Sequence, residues 1–250
     1  MGFADGRTTS HYRPLVLVTG GGRGIGRAIV EALAADGWAV AFTWASDEAA
    51  ARGLAEKTAA LPFPLDLRDR ARPATLVAEI EKELGPLSGL VNNAAVRREG
   101  ILAMTSDADW DEVLDVNLGG AFRCCRAVLP GMVYRRRGAI VSISSRSAEA
   151  GLPGQSAYAA SKAGLMGLTR SLAREVGRKG IRVNVIVPGF VATEQTAALP
   201  EARVTKLRDT ECLPAGTAPR DVAQMVALLL SDRATAITGQ AFAVDSGASA

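Results

Sequence analysis

Histidine is almost absent from this chain. The single one, His11, lies in the polar, aperiodic stretch 1–13, which reads as a flexible N-terminal tail. Histidine-based catalysis and a histidine-rich metal site are therefore not expected, and no metal is assigned. Cysteine is scarce too. Cys124, Cys125 and Cys212 form neither a disulfide framework nor a metal-binding spacing. Cys124 and Cys125 fall in an expected helix, where small buried thiols are common. A reducing cytoplasm suits this usage. No run approaches the roughly 18 uninterrupted apolar residues of a membrane helix, and the start lacks the apolar core of a signal peptide. The formal charge of +3 is small and spread out, which does not describe a nucleic-acid binder. The densest basic run, Arg135-Arg136-Arg137, reads as a solvated turn, with a dock for an acidic partner as the alternative.

What is present is an alternation of short apolar runs and helical periods over 250 residues, 48% of them apolar. That length is enough for one large domain. Expected strands are 15–18, 39–42, a third over 61–65 weakened by Pro62 and Pro64, 87–92, 139–143, 183–187 and 241–244. Helical stretches follow the first strand and cover about 47–59, the segment marked by Leu76, Ile80 and Leu84, a long span from Trp110 to Val133, the segment after Tyr158, and 222–230. Strands alternating with helices predict an α/β fold: a single-domain, Rossmann-type, doubly wound parallel sheet of about seven strands with helices on both faces. The domain is expected over 14–250. Within it, 192–219 lacks a clean period and is expected to form a substrate loop over the site.

The first strand runs into Thr19-Gly20-Gly21-Gly22-Arg23-Gly24-Ile25-Gly26. Glycines between a strand and a helix allow a tight turn and close approach, and the helix start offers free N–H groups to a pyrophosphate. An acid at the end of the second strand would select NAD by binding the ribose 2′-hydroxyl. Thr43 and Trp44 stand there instead. Arg23 can pair with a 2′-phosphate and Ser46 can donate to it. NADP(H) is the expected cofactor, with NAD(H) the alternative.

Tyr158 and Lys162 are four residues apart. On a helix they share a face, and an ammonium beside a phenol favours the phenolate. Leu165, Leu168, Leu172 and Val176 continue the helical rhythm. Alone, the pair is a weak signal. Four serines crowd 142–147, and their spacing alone does not choose between Ser144 and Ser145.

Together these residues resemble the short-chain dehydrogenase/reductase family over about 14–247. Thr19 to Gly26 matches T-G-x-x-x-G-x-G, and Asp66-Leu67 matches the acidic position that meets adenine. Asn92-Asn93-Ala94-Ala95 matches N-N-A-G with Ala95 in place of glycine. Asn117 matches the helix asparagine, and Ser145 lies 13 residues before Tyr158. Pro188-Gly189, Val191 and Thr193 fall in P-G-x-x-x-T beside the nicotinamide. The resemblance implies a catalytic set of Asn117, Ser145, Tyr158 and Lys162, in which Tyr158 donates a proton and Ser145 binds the carbonyl oxygen. It further implies that Lys162 also holds the nicotinamide ribose and that Asn117 holds a relay water. Within the family the chain is most similar to 3-oxoacyl-acyl-carrier-protein reductases. That implies an acidic carrier as partner, which Arg135, Arg136 and Lys179 are candidates to dock near the site mouth. Family members usually form homotetramers through the helices bearing Asn117 and Tyr158. The alternatives are a reductase of free ketones, sugars, polyols or steroids, and a non-catalytic NADP sensor. Three departures stand out: Ala95; a segment 213–222 shorter than the usual P-x-G-R-x-G-x-P-x-D-V, with Thr217 after Gly216; and Asp245-Ser246-Gly247 without the usual second glycine.

Overall fold

Alternating apolar residues in short strands need cover on both faces, and the computed structural model shows how they get it. It describes residues 13–194, 196–197 and 200–250. The expected tail lies outside the described residues, except Arg13. The Arg13 guanidinium donates to the carbonyls of Gly37 (3.0 Å) and Trp38 (3.3 Å).

Seven strands pair in parallel: β1 Leu15–Val18, β2 Ala39–Trp44, β3 Leu61–Pro64, β4 Leu87–Asn92, β5 Gly138–Ile143, β6 Ile181–Pro188 and β7 Ala241–Val244. Their spatial order is β3-β2-β1-β4-β5-β6-β7. The order reverses between β1 and β4, and a crevice opens there beyond the carboxyl ends of the strands. Pro62 and Pro64 fit because β3 is an edge strand with β2 as its only partner, so their missing N–H groups leave no central ladder broken.

Strand side chains alternate between two cores. Val16, Val18, Val141 and Ile143 face helices α1 (Gly24–Ala35), α2 (Glu48–Thr58) and, last in the chain, α9 (Pro219–Leu230). Leu15, Leu17 and Ile140 face α3 (Arg72–Leu84), α5 (Gly120–Arg135) and α7 (Ser156–Val176). Cys124 and Cys125 belong to this second core. Burial pushes their thiols up to about 12 and about 11, so both stay protonated and inert.

The long helix expected from Trp110 to Val133 is three pieces. Helix α4 (Asp107–Leu114) starts at Ser106, whose Oγ accepts from the Asp109 N–H. A π turn spans Asp115–Gly119, and α5 follows. Periodicity did not separate them because a π turn shifts the phase of the apolar stripe without interrupting helical backbone. A four-residue helix, α6 (Ser147–Ala150), lies between β5 and α7.

The segment 192–219 contains α8 (Glu201–Arg208), none of whose residues is buried. With no face packed on the core it has no apolar period to read. Two of the departures meet near its end. Ser246 adopts a left-handed φ of 55°, costly for a side chain with a Cβ, and its hydroxyl hydrogen-bonds the Thr217 hydroxyl at 2.8 Å.

Ile140 is fully buried at the centre of β5. Ile140→Val should cost about 1 kcal/mol and Ile140→Ala about 3 kcal/mol of unfolding free energy, read from chemical denaturation midpoints at unchanged slope.

Candidate active site

The crevice at the switch point is a cleft of ≈ 830 Å³. Every residue expected to hold the cofactor lines it: Gly20, Gly22, Arg23, Gly24, Ile25 and Gly26 from the turn, Thr43 in β2 and Ser46 after it, Asp66 and Leu67 after β3, Asn93, Ala94 and Ala95 after β4, Pro188 at the end of β6, and Gly189, Val191 and Thr193 beyond it. Ser145, Tyr158 and Lys162 line it too. Asn117 does not; it is buried behind the wall.

The turn is held by side chains from β2 and from the segments that follow β1 and β4. Thr19 Oγ1 donates to the Val91 carbonyl (3.2 Å) and accepts from the N–H groups of Asn93 (3.0 Å) and Ala94 (3.1 Å). Asn93 Nδ2 donates to the carbonyls of Thr19 and Gly20. Thr43 Oγ1 accepts from the Gly20 N–H at 3.1 Å and is buried. Asn93 and Thr43 therefore hold the cradle, and their side chains are spent on it. Gly20 has a left-handed φ of 65°, and a Cβ there would press on Ala94. A Cβ on Gly26 would collide with the Gly20 carbonyl. Arg23, at the N-cap of α1, provides no side-chain cap. The first N–H groups of α1 thus have neither an intrahelical nor a capping partner, which fits a pyrophosphate.

Beyond β2 the wall carries Trp44 and Ser46. The next carboxylate, Asp47, is turned back to accept from the Ala50 N–H at 2.9 Å. Asp66 accepts from the Arg68 N–H at 2.9 Å and pairs with its guanidinium.

The catalytic cluster forms where β5 meets α7. Lys162 is buried, and its Nζ donates to the Ile143 carbonyl at 2.7 Å. It lies 5.6 Å from the centre of the Tyr158 ring. Burial holds the lysine below its usual value; Tyr158 opposes that and Arg97 adds to it. For Tyr158, burial by itself pushes the phenol up. Lys162, then Arg97, then the Ser145 hydroxyl favour the phenolate and together outweigh it, leaving Tyr158 below the ordinary tyrosine range.

The serines separate cleanly. Ser144 Oγ donates to the Lys162 carbonyl at 2.8 Å and is buried under α7. Ser145 Oγ accepts from both the N–H (3.2 Å) and the hydroxyl (3.0 Å) of Ser147. Those two donors occupy its lone pairs and leave its own O–H for a carbonyl in the cleft. Ser147 is an orienting residue that sequence reasoning missed, since nothing in a serine-rich strand end singles it out.

Asn117, in the π turn, donates from Nδ2 to the Val96 carbonyl and to Ser161 Oγ, both at 3.0 Å, and accepts from the Val96 N–H at 2.8 Å. Both amide hydrogens are spent on protein. The side chain ties the loop after β4 to α7.

One departure finds its place and one expectation changes. The methyl of Ala95 packs in a small cluster with Val113, Ala157 and Tyr158. Arg135, Arg136 and Lys179 precede β5 and β6, so they sit at the amino ends of the strands, the edge opposite this chain's own cleft mouth. Arg135 pairs there with Glu81, and Arg136 donates to the Arg178 carbonyl. Besides Arg23, Arg68 and Lys162, the cations on the cleft wall are Arg97, Arg146, Arg203 and Lys206. Arg97 and Arg146 lie outside any motif read from the sequence, and only the closing of the β4 and β5 loops over one space brings them in.

A parallel sheet in this order, with an uncapped glycine turn at its switch point and a Ser–Tyr–Lys cluster beyond, defines a nicotinamide-dinucleotide oxidoreductase. The family model described as "Enoyl-(Acyl carrier protein) reductase" matches residues 20–249, and the chain belongs to the short-chain dehydrogenase/reductase family. It is 37% identical over 236 residues to a 3-oxoacyl-[acyl-carrier-protein] reductase FabG of Staphylococcus aureus, covering 92% of this chain and 96% of that one. It is 39% identical over 237 residues to the FabG of Escherichia coli (strain K12), covering 93% and 96%. The crystal structure of a blue fluorescent protein from a metagenomic library, in complex with NADPH, superposes with a TM-score of 0.89 at 36% identity, covering 95% of this chain and 98% of that one.

The lowered Tyr158 value sets a pH signature. With Tyr158 as the proton donor that the family resemblance implies, kcat/KM for carbonyl reduction should fall as pH rises through a limb below the ordinary tyrosine value of about 10. Alcohol oxidation should rise through the same limb. Ser147→Ala should lower kcat by about tenfold through the freed Ser145 hydroxyl, with cofactor affinity unchanged.

Proposed function

We propose that this chain reduces the 3-oxo group of an acyl thioester carried on acyl carrier protein, using NADPH. The observation that carries the reading is the convergence of two O–H donors, Ser145 and Tyr158, in one cleft with a buried ammonium behind the phenol. The activity that the relatives are named for and the NADPH bound by the neighbouring structure support it.

Trp44 in the place of an acid, the capped Asp47, and the unpaired guanidinium of Arg23 among the described residues make room for a 2′-phosphate. NADPH, bound along the turn, supplies the hydride that the carbonyl carbon accepts. The chain's residues manage the oxygen. Ser145 orients it and stabilises its growing charge, and Tyr158 delivers the proton. Lys162 holds the phenolate left behind. Asn117 keeps the loop carrying Ala95 and Val96 seated on α7. With both amide hydrogens spent on protein, the Asn117 side chain has no N–H left for the relay water expected from the resemblance.

The family model's description raises a second reading, reduction of a C=C bond. Ser145 and Tyr158 both point their chemistry at one oxygen, which suits a carbonyl being protonated. We further propose a cytoplasmic homotetramer assembled through α5 and α7. Among the described residues no helix is long and apolar enough to cross a membrane, and Phe122 is exposed on α5 beneath the Arg126 guanidinium. Light scattering on the purified protein should give four chains, and a monomer would overturn the assembly.

Loss of NADPH absorbance tests the chemistry. Acetoacetyl thioester should be consumed and crotonyl thioester left untouched, with kcat/KM for NADPH above that for NADH. Turnover of crotonyl thioester alone would favour C=C reduction, turnover of only free ketones or sugars would remove the carrier, and binding without turnover of any carbonyl would indicate a sensor. Tyr158→Phe should lower kcat by roughly 10²–10⁴ while still binding NADPH.

A further inference from the structure

We propose that Arg97 binds the second carbonyl oxygen of the substrate, so that the cleft selects an acyl group with two carbonyls in a 1,3 relation. This rests on the carbonyl-reduction reading above and names what lies beside the reacting carbonyl.

The position of Arg97 is imposed by its neighbour. Val96 is held from both its N–H and its carbonyl by Asn117, so the backbone leading into Arg97 is anchored although its side chain is exposed to the cleft. The guanidinium carbon lies 4.6 Å from the centre of the Tyr158 ring, and Nη2 reaches to 3.4 Å from the phenol oxygen. Among the described residues it has no carboxylate partner. The nearby acids are already taken: Arg98 pairs with Asp109 and Glu112, and Glu99 receives Arg203 and Gln155. A second cation thus stands uncompensated over a phenol that already has Lys162 behind it. Such a group is stable in water, but once a ligand excludes solvent it needs an acceptor.

The substrate supplies that acceptor. The reacting carbonyl oxygen must lie against Tyr158 Oη and Ser145 Oγ. One end of the guanidinium is already beside Tyr158 Oη, and its remaining N–H groups have no protein partner among the described residues. A planar fork of donors suits two oxygens on the same side of a short chain. A 1,3-dicarbonyl presents that pair, and a carboxylate or a thioester at the second position offers the same chemistry. The Arg97 charge then also stabilises the oxygen that gains charge as the carbonyl is reduced.

The test compares acetoacetyl thioester, free acetoacetate and 2-pentanone, which lacks the second carbonyl, in the parent, Arg97→Met and Arg97→Lys proteins. NADPH affinity and thermal midpoint serve as controls for folding. Arg97→Met should lower kcat/KM for acetoacetyl thioester by about 10–100-fold, at least tenfold more than for 2-pentanone, and Arg97→Lys should recover part of the loss. Equal losses on thioester and ketone, with the pH limb displaced for both, would overturn the proposal and place the arginine's effect on Tyr158 alone. No loss on the thioester would overturn it as well. A parent that ignores the thioester but reduces acetoacetate with the same dependence on Arg97 upholds the 1,3-dicarbonyl subsite and removes the carrier reading.

Discussion

One hydrogen bond, from Lys162 Nζ to the Ile143 carbonyl, joins the architecture of this protein to its chemistry. It runs from the middle of α7 to the last residue of β5, inside the packed layer between helix and sheet. A buried ammonium is expensive unless it is partnered, and burial does push this lysine towards neutrality. What keeps the charge is the carbonyl on one side and the Tyr158 phenol on the other. The cost falls when the tyrosine gives up its proton, so the interaction that seats the helix also favours the phenolate. Ser144, donating to the Lys162 carbonyl, fastens the same helix turn from below.

The cofactor cradle follows similar logic one strand over. Thr19 follows β1 and Asn93 follows β4, and between them they satisfy backbone groups that the glycine turn exposes. The adjacent loop is then fixed to α7 by Asn117. A continuous set of hydrogen bonds therefore runs from the phosphate turn to the catalytic helix. Misplacing either end would misplace the other, which is why the glycine turn and the Ser145–Tyr158–Lys162 cluster lie along one edge of the sheet.

The departures from the family pattern show how local changes are absorbed. The methyl of Ala95 enters the packing around Tyr158. Ser246 takes a strained left-handed conformation, and its hydroxyl finds Thr217, the residue that stands where the family carries arginine. The first adjustment reaches Tyr158 itself, whereas the second stays at the end of the segment 192–219.

The seven strands, most of the helices and the residues that line the cleft were legible in the chain because they rest on short-range rules: period 2 against 3.6, glycine between strand and helix, tyrosine and lysine one turn apart. Three things were not. The break at Asp115–Gly119 left no trace because a π turn remains helical in composition. Helix α8 buries no side chain and so writes no pattern. The roles of Ser147, Arg97 and Asn117 depend on partners brought in from other loops, up to 61 residues away for Arg97 and Tyr158. The sequence by itself determined the family and its class of chemistry, since the glycine turn and the Tyr158–Lys162 pair are each written within a short segment. Only the tertiary structure decided what walls the cleft, because a cleft between parallel strands is lined by loops that meet in space and not along the chain.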